Sequence, residues 1–412
     1  MKKQKIRHNR KDVAREYINR GKNEKRFVLA GGGTGGHIYP AIGIAQALQR
    51  FNPEVDIVFI GGRDRLESTL VPQQGFRFLP ISVEGFPRSL TWKWFPVLIK
   101  VFQGLVQSLK YLRKFRPDVV IGTGGYVSGP VLFAAWMLRI PIAIQEQNVS
   151  PGLTNSMLAR CAKAAYLALP PDTQRFPNHI VEVTGNPIRL GITDYPRADE
   201  TYQKYKLCAN RKTVFVMGGS QGARAVNQAM IDASPLIAKF AGSLLPETEG
   251  VSPVKLDDFS TFVLQIVHQT GKTDVEQVHA AYAQHGIPHH VQPFFDPIEE
   301  IYSIADVMIC RAGGMTVSEV TACGIPAIFI PLPAAVGNNQ VRNAETVANA
   351  GAAVVLEQEE LNPEILVKEL IRIITDEKIY GQMKVASKEL GRPYASDTIA
   401  ESIFKLASAT KI

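Results

Sequence analysis

The sequence predicts an α/β protein built of two doubly wound, Rossmann-like units that face each other across a cleft. Three observations predict it. Phe27–Pro40 (Phe-Val-Leu-Ala-Gly-Gly-Gly-Thr-Gly-Gly-His-Ile-Tyr-Pro) is an apolar run that breaks into five glycines and then into helical spacing. Thr213–Met217, followed by Gly218-Gly-Ser-Gln-Gly222, restarts the same design halfway along the chain. Val307–Cys310 again runs through glycines, Arg311-Ala-Gly-Gly-Met-Thr-Val-Ser-Glu319, into a helix.

In the first of these, glycines let the backbone come close to a ligand. The helix is expected to begin at Pro40 and run through Ala41–Leu48, so its free N–H groups suit an anion or a sugar hydroxyl. Gly31-x-Gly33-x-x-Gly36 fits the dinucleotide fingerprint, but that pattern alone is weak. The fingerprint also wants an acid at the end of the second strand. Asp56 opens that strand, Asp56–Ile60, which ends in Gly61-Gly62-Arg63. No Gly-Lys-Ser/Thr follows, so a P-loop is excluded. His37 is unusual beside such a turn, at the sheet edge where open α/β folds bind ligands. The plainer alternative is a helix-start residue bonding backbone.

At 412 residues the chain has room for two domains. Its four cysteines show no Cys-x-x-Cys pairing and no zinc spacing, which fits a reducing compartment and argues against a metal site. The net charge of +8 is carried by residues 1–26, a basic arm with eleven Lys/Arg and three Asp/Glu. That arm reads as flexible and solvated, and no nucleic-acid recognition motif accompanies it. No signal peptide or membrane-spanning run is visible, so a cytosolic or peripheral membrane protein is expected.

Phe86–Arg116 carries seven basic residues and no acidic one. Val97, Val101, Leu105, Leu109 and Leu112, widened by Leu98 and Phe102, recur at helical spacing and read as a face packed on the sheet. The preceding tip Trp92-Lys93-Trp94-Phe95 suits a lipid headgroup interface instead, with half-buried rings and a lysine for phosphate. Asp118–Thr123 is a buried strand ending in a second glycine turn, Gly122-Thr-Gly-Gly-Tyr-Val-Ser-Gly129. Ile142–Gln145 leads into Glu146-Gln147-Asn148, polar groups suited to a polyhydroxylated ligand or, alternatively, to capping the next helix. Pro187, in Gly185-Asn-Pro-Ile-Arg189, puts the domain boundary near residue 190.

In the second half, Ser243–Ser260 reads as a surface insert without evident function. Gly313 and Gly314 open the backbone, and Met315, Thr316, Val317 and Ser318 put N–H groups at a helix start, which is a diphosphate site in physical terms. Glu319 in the first turns can accept from two vicinal ribose hydroxyls, or merely complement the helix dipole. Gln340 and Asn343 are amides suited to sugar hydroxyls. The terminal helix of such two-domain designs often crosses back to the first domain.

Glycine turns on both units and a helix-start phosphate site suggest a nucleotide-sugar transferase of the two-domain GT-B type. The chain has no Asp-x-Asp pair to hold a divalent metal, which leaves the helix terminus to stabilise a departing diphosphate; no metal and no cofactor are expected. The motifs Gly33-Thr-Gly-Gly-His37, Gly124-Gly-Tyr-Val-Ser-Gly-Pro130, Gln145-Glu-Gln-Asn148, Gly185-Asn-Pro-Ile-Arg189, Gly218-Gly-Ser-Gln-Gly-Ala223 and Thr316-Val-Ser-Glu319 occur in that order. In them, from residue 27 over nearly its whole length, the chain resembles the MurG family of bacterial peptidoglycan N-acetylglucosaminyltransferases.

The resemblance implies the reaction: inverting transfer of N-acetylglucosamine from UDP-N-acetylglucosamine to the muramyl C4 hydroxyl of lipid I, giving lipid II. It implies a peripheral protein on the cytoplasmic face of the inner membrane, meeting anionic lipid and a place in a cell-wall synthesis complex. It implies an acceptor- and membrane-facing domain over 27–190, completed by the helix of about 392–412, and a UDP-sugar domain over 191–391. Carried over by position, Thr34, Gly35 and Gly36 line the cleft and Asn148 and Gln340 hold the donor sugar. Arg189 and the backbone of Phe295 lie near the uracil, Ser220 bonds phosphate, and Gly314–Glu319 bind diphosphate and ribose. The acceptor diphosphate falls to the loops of Gly33, Gly124, Gly125 and Tyr126. Direct displacement needs a base, for which His37 is the candidate, since imidazole titrates near neutral pH; a histidine that only bonds the acceptor would look the same. Gly337-Asn338-Asn339 stands where many members carry acidic or histidine residues.

Three rival readings make separable predictions. A nicotinamide-dependent oxidoreductase would bind NAD(P) and leave the second-domain helix site unexplained. A non-catalytic membrane-docking protein would transfer no sugar. A related transferase with another lipid or aglycone acceptor differs only in acceptor choice.

Overall fold

The computed structural model describes residues 25–85, 94–170, 175–219, 222–243, 263–333 and 338–409; the side chains of 94–96 and 241–243 lie outside the description. The basic arm up to residue 24, Trp92 and Lys93, Ser220, and nearly all of the Ser243–Ser260 insert fall outside it.

The apolar runs become two parallel sheets. The first is formed by β1 (Arg26–Gly31), β2 (Asp56–Gly62), β3 (Arg77–Ile81), β4 (Val119–Gly124), β5 (Ile142–Glu146), β6 (Ala164–Leu167) and β7 (Val181–Val183), in the order β3-β2-β1-β4-β5-β6-β7. The second is formed by β8 (Lys212–Met217), β9 (Leu264–Gln269), β10 (His289–Gln292), β11 (Val307–Cys310), β12 (Ala327–Phe329) and β13 (Ala353–Val355), in the order β10-β9-β8-β11-β12-β13. Helices cover both faces, so the central strands are buried, apart from half-buried Lys212 at the start of β8, and read as apolar runs in place of an alternating pattern. The order reverses between β1 and β4 in one sheet and between β8 and β11 in the other. Ligands bind beyond the carboxyl ends of strands at such switch points, and the glycine turns after β1, β4, β8 and β11 all lie there.

Packing against the sheets decides several boundaries. The first helix begins at Gly35, ahead of the expected Pro40, and runs to Phe51 with the proline inside. Gly35, Gly36 and His37 are therefore helix-start residues. Arg26, counted with the arm on charge alone, is a buried strand residue: its backbone N–H bonds Asp118, its guanidinium bonds Phe115 O (3.2 Å), and it lies over the Phe115 ring.

The terminal helix, Ala395–Ala409, packs on the Gly35–Phe51 helix of the first unit. It buries Ile399, Ala400, Ile403 and Ala407 there, sets Phe404 edge-on to Phe27 at 5.4 Å, and accepts Lys25 Nζ on Ala407 O at 2.7 Å. Val149, Ala168 and Leu169 of the first unit join the core of the second, so apolar packing runs on between the units.

Within Trp94–Phe115 the apolar spacing divides. Val97 and Leu112 are buried and Val101, Leu105 and Leu109 half-buried, as expected of a packed face. Leu98 and Phe102 do not widen that face. They stand out in solvent with Ile99 and Val106, Phe102 being 66% exposed.

Candidate functional site

At the first switch point Thr34 caps the helix in extended conformation, and the amides of Gly35 and Gly36 lead it. Thr34 and Gly36 are exposed and Gly35 half-buried. The second loop closes on this one. Gly125 has φ +78°, and a Cβ there would lie 2.3 Å from the Gly32 carbonyl; only glycine fits. Tyr126 lies against Gly33, with the Arg65 guanidinium 5.8 Å over its ring, and burial raises its phenol above the ordinary range.

Glu67 organises this corner and was not singled out from sequence. Fully buried at the start of the Glu67–Gln73 helix, it accepts from the Gly33 N–H (3.0 Å) and the Gly62 N–H (3.0 Å). The Gly33 amide is thus already spent on a carboxylate, and the expected acceptor-diphosphate loop keeps Gly33 for its shape. The available signal was an acid shortly after the second strand. It turns inward to the glycine backbone where a dinucleotide fingerprint would turn it to ribose.

His37 is half-buried between the loops. Its Nδ1 lies 3.0 Å from Thr123 O and 2.9 Å from Gln147 Oε1. A backbone carbonyl can only accept, so Nδ1 carries a hydrogen, and in the neutral ring the lone pair is then on Nε2. Thr123 Oγ1 donates back to His37 O (2.7 Å).

At the second switch point the helix Gly314–Ala322 is capped by extended Gly313, and its leading amides are those of Gly314, Met315 and Thr316. These three and Ser318 are half-buried, while Val317 is in the core. Glu319 is buried, receives Tyr302 OH at 3.0 Å, and pairs with Arg189 Nε at 3.4 Å. Burial pushes its carboxyl above the ordinary glutamate range, against the pull of Arg189. Arg189 in turn lies 5.3 Å over the Tyr39 ring of the first unit.

The two switch points meet at Gln147. Its side chain touches His37, and its carbonyl lies where a Cβ on Gly314 would come within 2.3 Å. Two parallel-sheet units thus join a first-unit histidine to a second-unit helix start through one residue.

Models of the glycosyltransferase family 28 N-terminal domain and C-terminal domain match residues 27–167 and 213–399. The chain belongs to glycosyltransferase family 28.

A family 28 relative from Halothermothrix orenii, named UDP-N-acetylglucosamine--N-acetylmuramyl-(pentapeptide) pyrophosphoryl-undecaprenol N-acetylglucosamine transferase, is 39% identical over 92% of this chain and 98% of its own. One of the same name from Bacillus thuringiensis, numbered 2, is 34% identical over 92% of this chain and 99% of its own. The crystal structure of Acinetobacter baumannii MurG superposes with a TM-score of 0.70 at 30% identity, covering 92% of this chain and 99% of that one. The resemblance and the two-domain GT-B fold read from the motifs are borne out.

Several residues expected to meet ligand in this family 28 site also hydrogen-bond protein. Asn148 accepts from Asn343 Nδ2 (3.1 Å) and donates to Glu146 (3.2 Å). Asn343, read as a sugar ligand, is fully buried and also holds Val149 N (3.0 Å) and Ala312 O (3.1 Å), so it is a strut between the units. The Phe295 N–H is spent on Gln269 Oε1 (3.0 Å). Gln340 is half-buried and its Oε1 accepts from Leu332 N (2.9 Å). Trp94 and Phe95 open the Trp94–Phe115 helix. Among the described residues no three His, Cys, Asp or Glu side chains group as metal ligands, and no helix is long and apolar enough to cross a membrane.

Proposed function

We propose that this chain transfers N-acetylglucosamine from UDP-N-acetylglucosamine to the muramyl C4 hydroxyl of undecaprenyl-pyrophosphoryl-N-acetylmuramyl pentapeptide, lipid I, with inversion, to give lipid II. The observation that carries this is Gln147, with the Nδ1–H of His37 on its side chain and the Gly314 helix start against its carbonyl. A candidate base and a candidate diphosphate-binding helix terminus thereby meet on one residue, which brings acceptor and donor sites together as a direct displacement requires. The names of the relatives supply donor and acceptor.

In this reading the donor diphosphate sits on the amides of Gly314–Thr316, with Ser220 on phosphate. Glu319 accepts from the ribose hydroxyls, Arg189 and Phe295 border the uracil, and Asn148 and Gln340 reach the sugar. Negative charge grows on the leaving diphosphate as the glycosidic bond breaks, and pre-aligned helix amides stabilise it without reorganising. The acceptor diphosphate lies over the loops of Thr34–Gly36 and Gly124–Tyr126. Nε2 of His37 takes the C4 hydroxyl proton as the new bond forms.

The lipid tail implies a membrane-side surface on the first unit, consistent with a peripheral protein at the cytoplasmic face of the inner membrane. The exposed Leu98, Ile99, Phe102 and Val106, with Phe133 and Trp136 on the neighbouring helix, support that surface; the sequence Trp92–Phe95, expected to contact membrane, comes just before these residues in the chain. An apolar hollow of about 300 Å³ opens between Val101, Leu105, Phe133 and Met157.

The test is transfer of labelled sugar from UDP-N-acetylglucosamine to a soluble short-chain lipid I analogue in EDTA. Product supports the reading. No product with UDP binding intact would overturn the acceptor assignment, and product only with added magnesium would overturn the helix-terminus account of the leaving group.

A further inference from the structure

We propose that Gln147 is a positioning residue that, beside Thr123 O, holds the hydrogen on Nδ1 of His37, and that Gln147 is itself oriented directly by Thr123 O and, through Gln145 and Asn186, by backbone carbonyls of both units. The proposal rests on the reading of His37 as the base.

The four side chains form a hydrogen-bonded row in which each amide has one orientation. At its far end Asn186 Nδ2 faces Gly314 O (3.1 Å), Gln147 O (3.2 Å) and Ser318 Oγ (3.0 Å). Two of these are carbonyls, which only accept, so the nitrogen of Asn186 must point there and its Oδ1 the other way. That oxygen accepts from Gln145 Nε2 at 2.7 Å, which turns Gln145 Oε1 toward Gln147. Gln147 Nε2 donates to it at 2.5 Å and to Thr123 O at 2.7 Å, which leaves Gln147 Oε1 facing His37 Nδ1 at 2.9 Å. The polarity therefore runs from the Gly314 helix start to the imidazole without an ambiguous member.

Burial makes the row selective. Gln145, Gln147 and Asn186 are each 2% exposed or less, so no water can stand in for a reversed amide. Reversing one would set two acceptors or two donors against each other, a mismatch worth about 1–3 kcal/mol where water is excluded. With Nδ1 held as donor, the lone pair is on Nε2, the nitrogen left to face an acceptor hydroxyl. Of the three carbonyls that fix the row, Thr123 O and Gln147 O belong to the first unit and Gly314 O to the donor helix. Part of what prepares the base thus arrives with the donor-binding unit.

The experiment reads the tautomer directly. Full-length protein is labelled with ¹⁵N-histidine, His37 is assigned by its loss in His37→Gln, and ring nitrogens are followed by two-bond ¹H–¹⁵N correlation. The wild type shows hydrogen on Nδ1. Gln147→Met and Gln145→Met, the second of which touches neither His37 nor substrate, each move a tenth or more of the neutral ring to the Nε2–H form. In the transfer assay kcat of Gln147→Met falls in proportion to the Nδ1–H fraction lost, while KM for UDP-N-acetylglucosamine stays within twofold. If Gln147→Met does not fold, Gln147→Asn keeps an amide but withdraws it by one methylene and gives the same shift. An unchanged ring in the folded variants overturns the proposal. The spectra do not depend on turnover, so a protein that transfers nothing but shows the shift overturns only the reading of function.

Discussion

Gly314 stands so close to Gln147 that the two units meet there backbone to backbone: a Cβ on the glycine would lie 2.3 Å from the glutamine carbonyl and 3.1 Å from Asn148 Oδ1. Helix propensity alone favours alanine over glycine by about 1 kcal/mol. The contact opposes that gain, because neither backbone can give way. Gly314→Ala is expected to hold the units apart, with a larger radius of gyration by small-angle scattering and transfer reduced more than tenfold. A more stable variant with unchanged scattering and turnover would mean that the contact is absent in solution.

Glu319 is buried, with Tyr302 and Arg189 as its neighbours. If it also accepts from ribose, Glu319→Gln replaces one acceptor by a donor, and UDP-sugar binding should weaken by about 1–3 kcal/mol, roughly five- to 150-fold in Kd. Calorimetric titration with UDP-N-acetylglucosamine reads this. An unchanged Kd would reduce Glu319 to a partner of Arg189.

His268 is fully buried, with Tyr282 OH on Nδ1 (2.8 Å) and Asn227 on Nε2 (3.1 Å), and burial lowers its pKa to about 3. The unfolded chain, with an ordinary histidine, binds the proton first as pH falls. The neutral ring's contribution is therefore complete above about pH 6.5 and is lost progressively down to about pH 3. The slope is about 1.4 kcal/mol per pH unit over most of that window. Between pH 7 and pH 5, denaturant unfolding should show the wild type losing about 2 kcal/mol more than His268→Gln. Parallel losses would mean that the ring is not held neutral.

The surface proposed to face lipid has Phe102 at 66% and Trp136 at 49% exposure. Phe102→Ser with Trp136→Ser should reduce sedimentation with anionic vesicles several-fold while leaving transfer to a soluble acceptor within twofold. Equal sedimentation would shift membrane contact to the Trp92–Phe95 tip or the basic arm.

The central strands and the helix start at Gly314 were legible because their signals are local: an apolar run ending in glycines marks a strand and a turn; the start of the first helix at Gly35 and the edge strands β3, β10 and β13 were not. The junction was less legible because it is made by tertiary pairing. Asn343 and Asn148 looked alike as sugar ligands, since an amide's hydrogen bonds are the same toward a hydroxyl or a backbone; only the structure shows them bonded to each other across the junction, with Asn343 also on Val149 N. Glu67 reads as an ordinary helix-start acid until β1 and β2 are paired, when their glycines bring two amides onto it. Arg26 sat in a run of basic residues, and only the sheet shows its guanidinium turned inward to Phe115. His37 stood out from the start; which of its nitrogens is free depended on Thr123 and Gln147, distant in sequence.

The most direct test of the cleft as the place of reaction compares wild type with His37→Ala, with transfer to the short-chain lipid I analogue and UDP-N-acetylglucosamine affinity measured on the same preparations. General-base catalysis accounts for about 10²–10⁴ in rate. The account predicts a fall in kcat of that order with Kd for the donor within about twofold, since the histidine lies on the acceptor side of Gln147. A variant that turns over at the wild-type rate would contradict it, and the base would have to be sought elsewhere in the cleft.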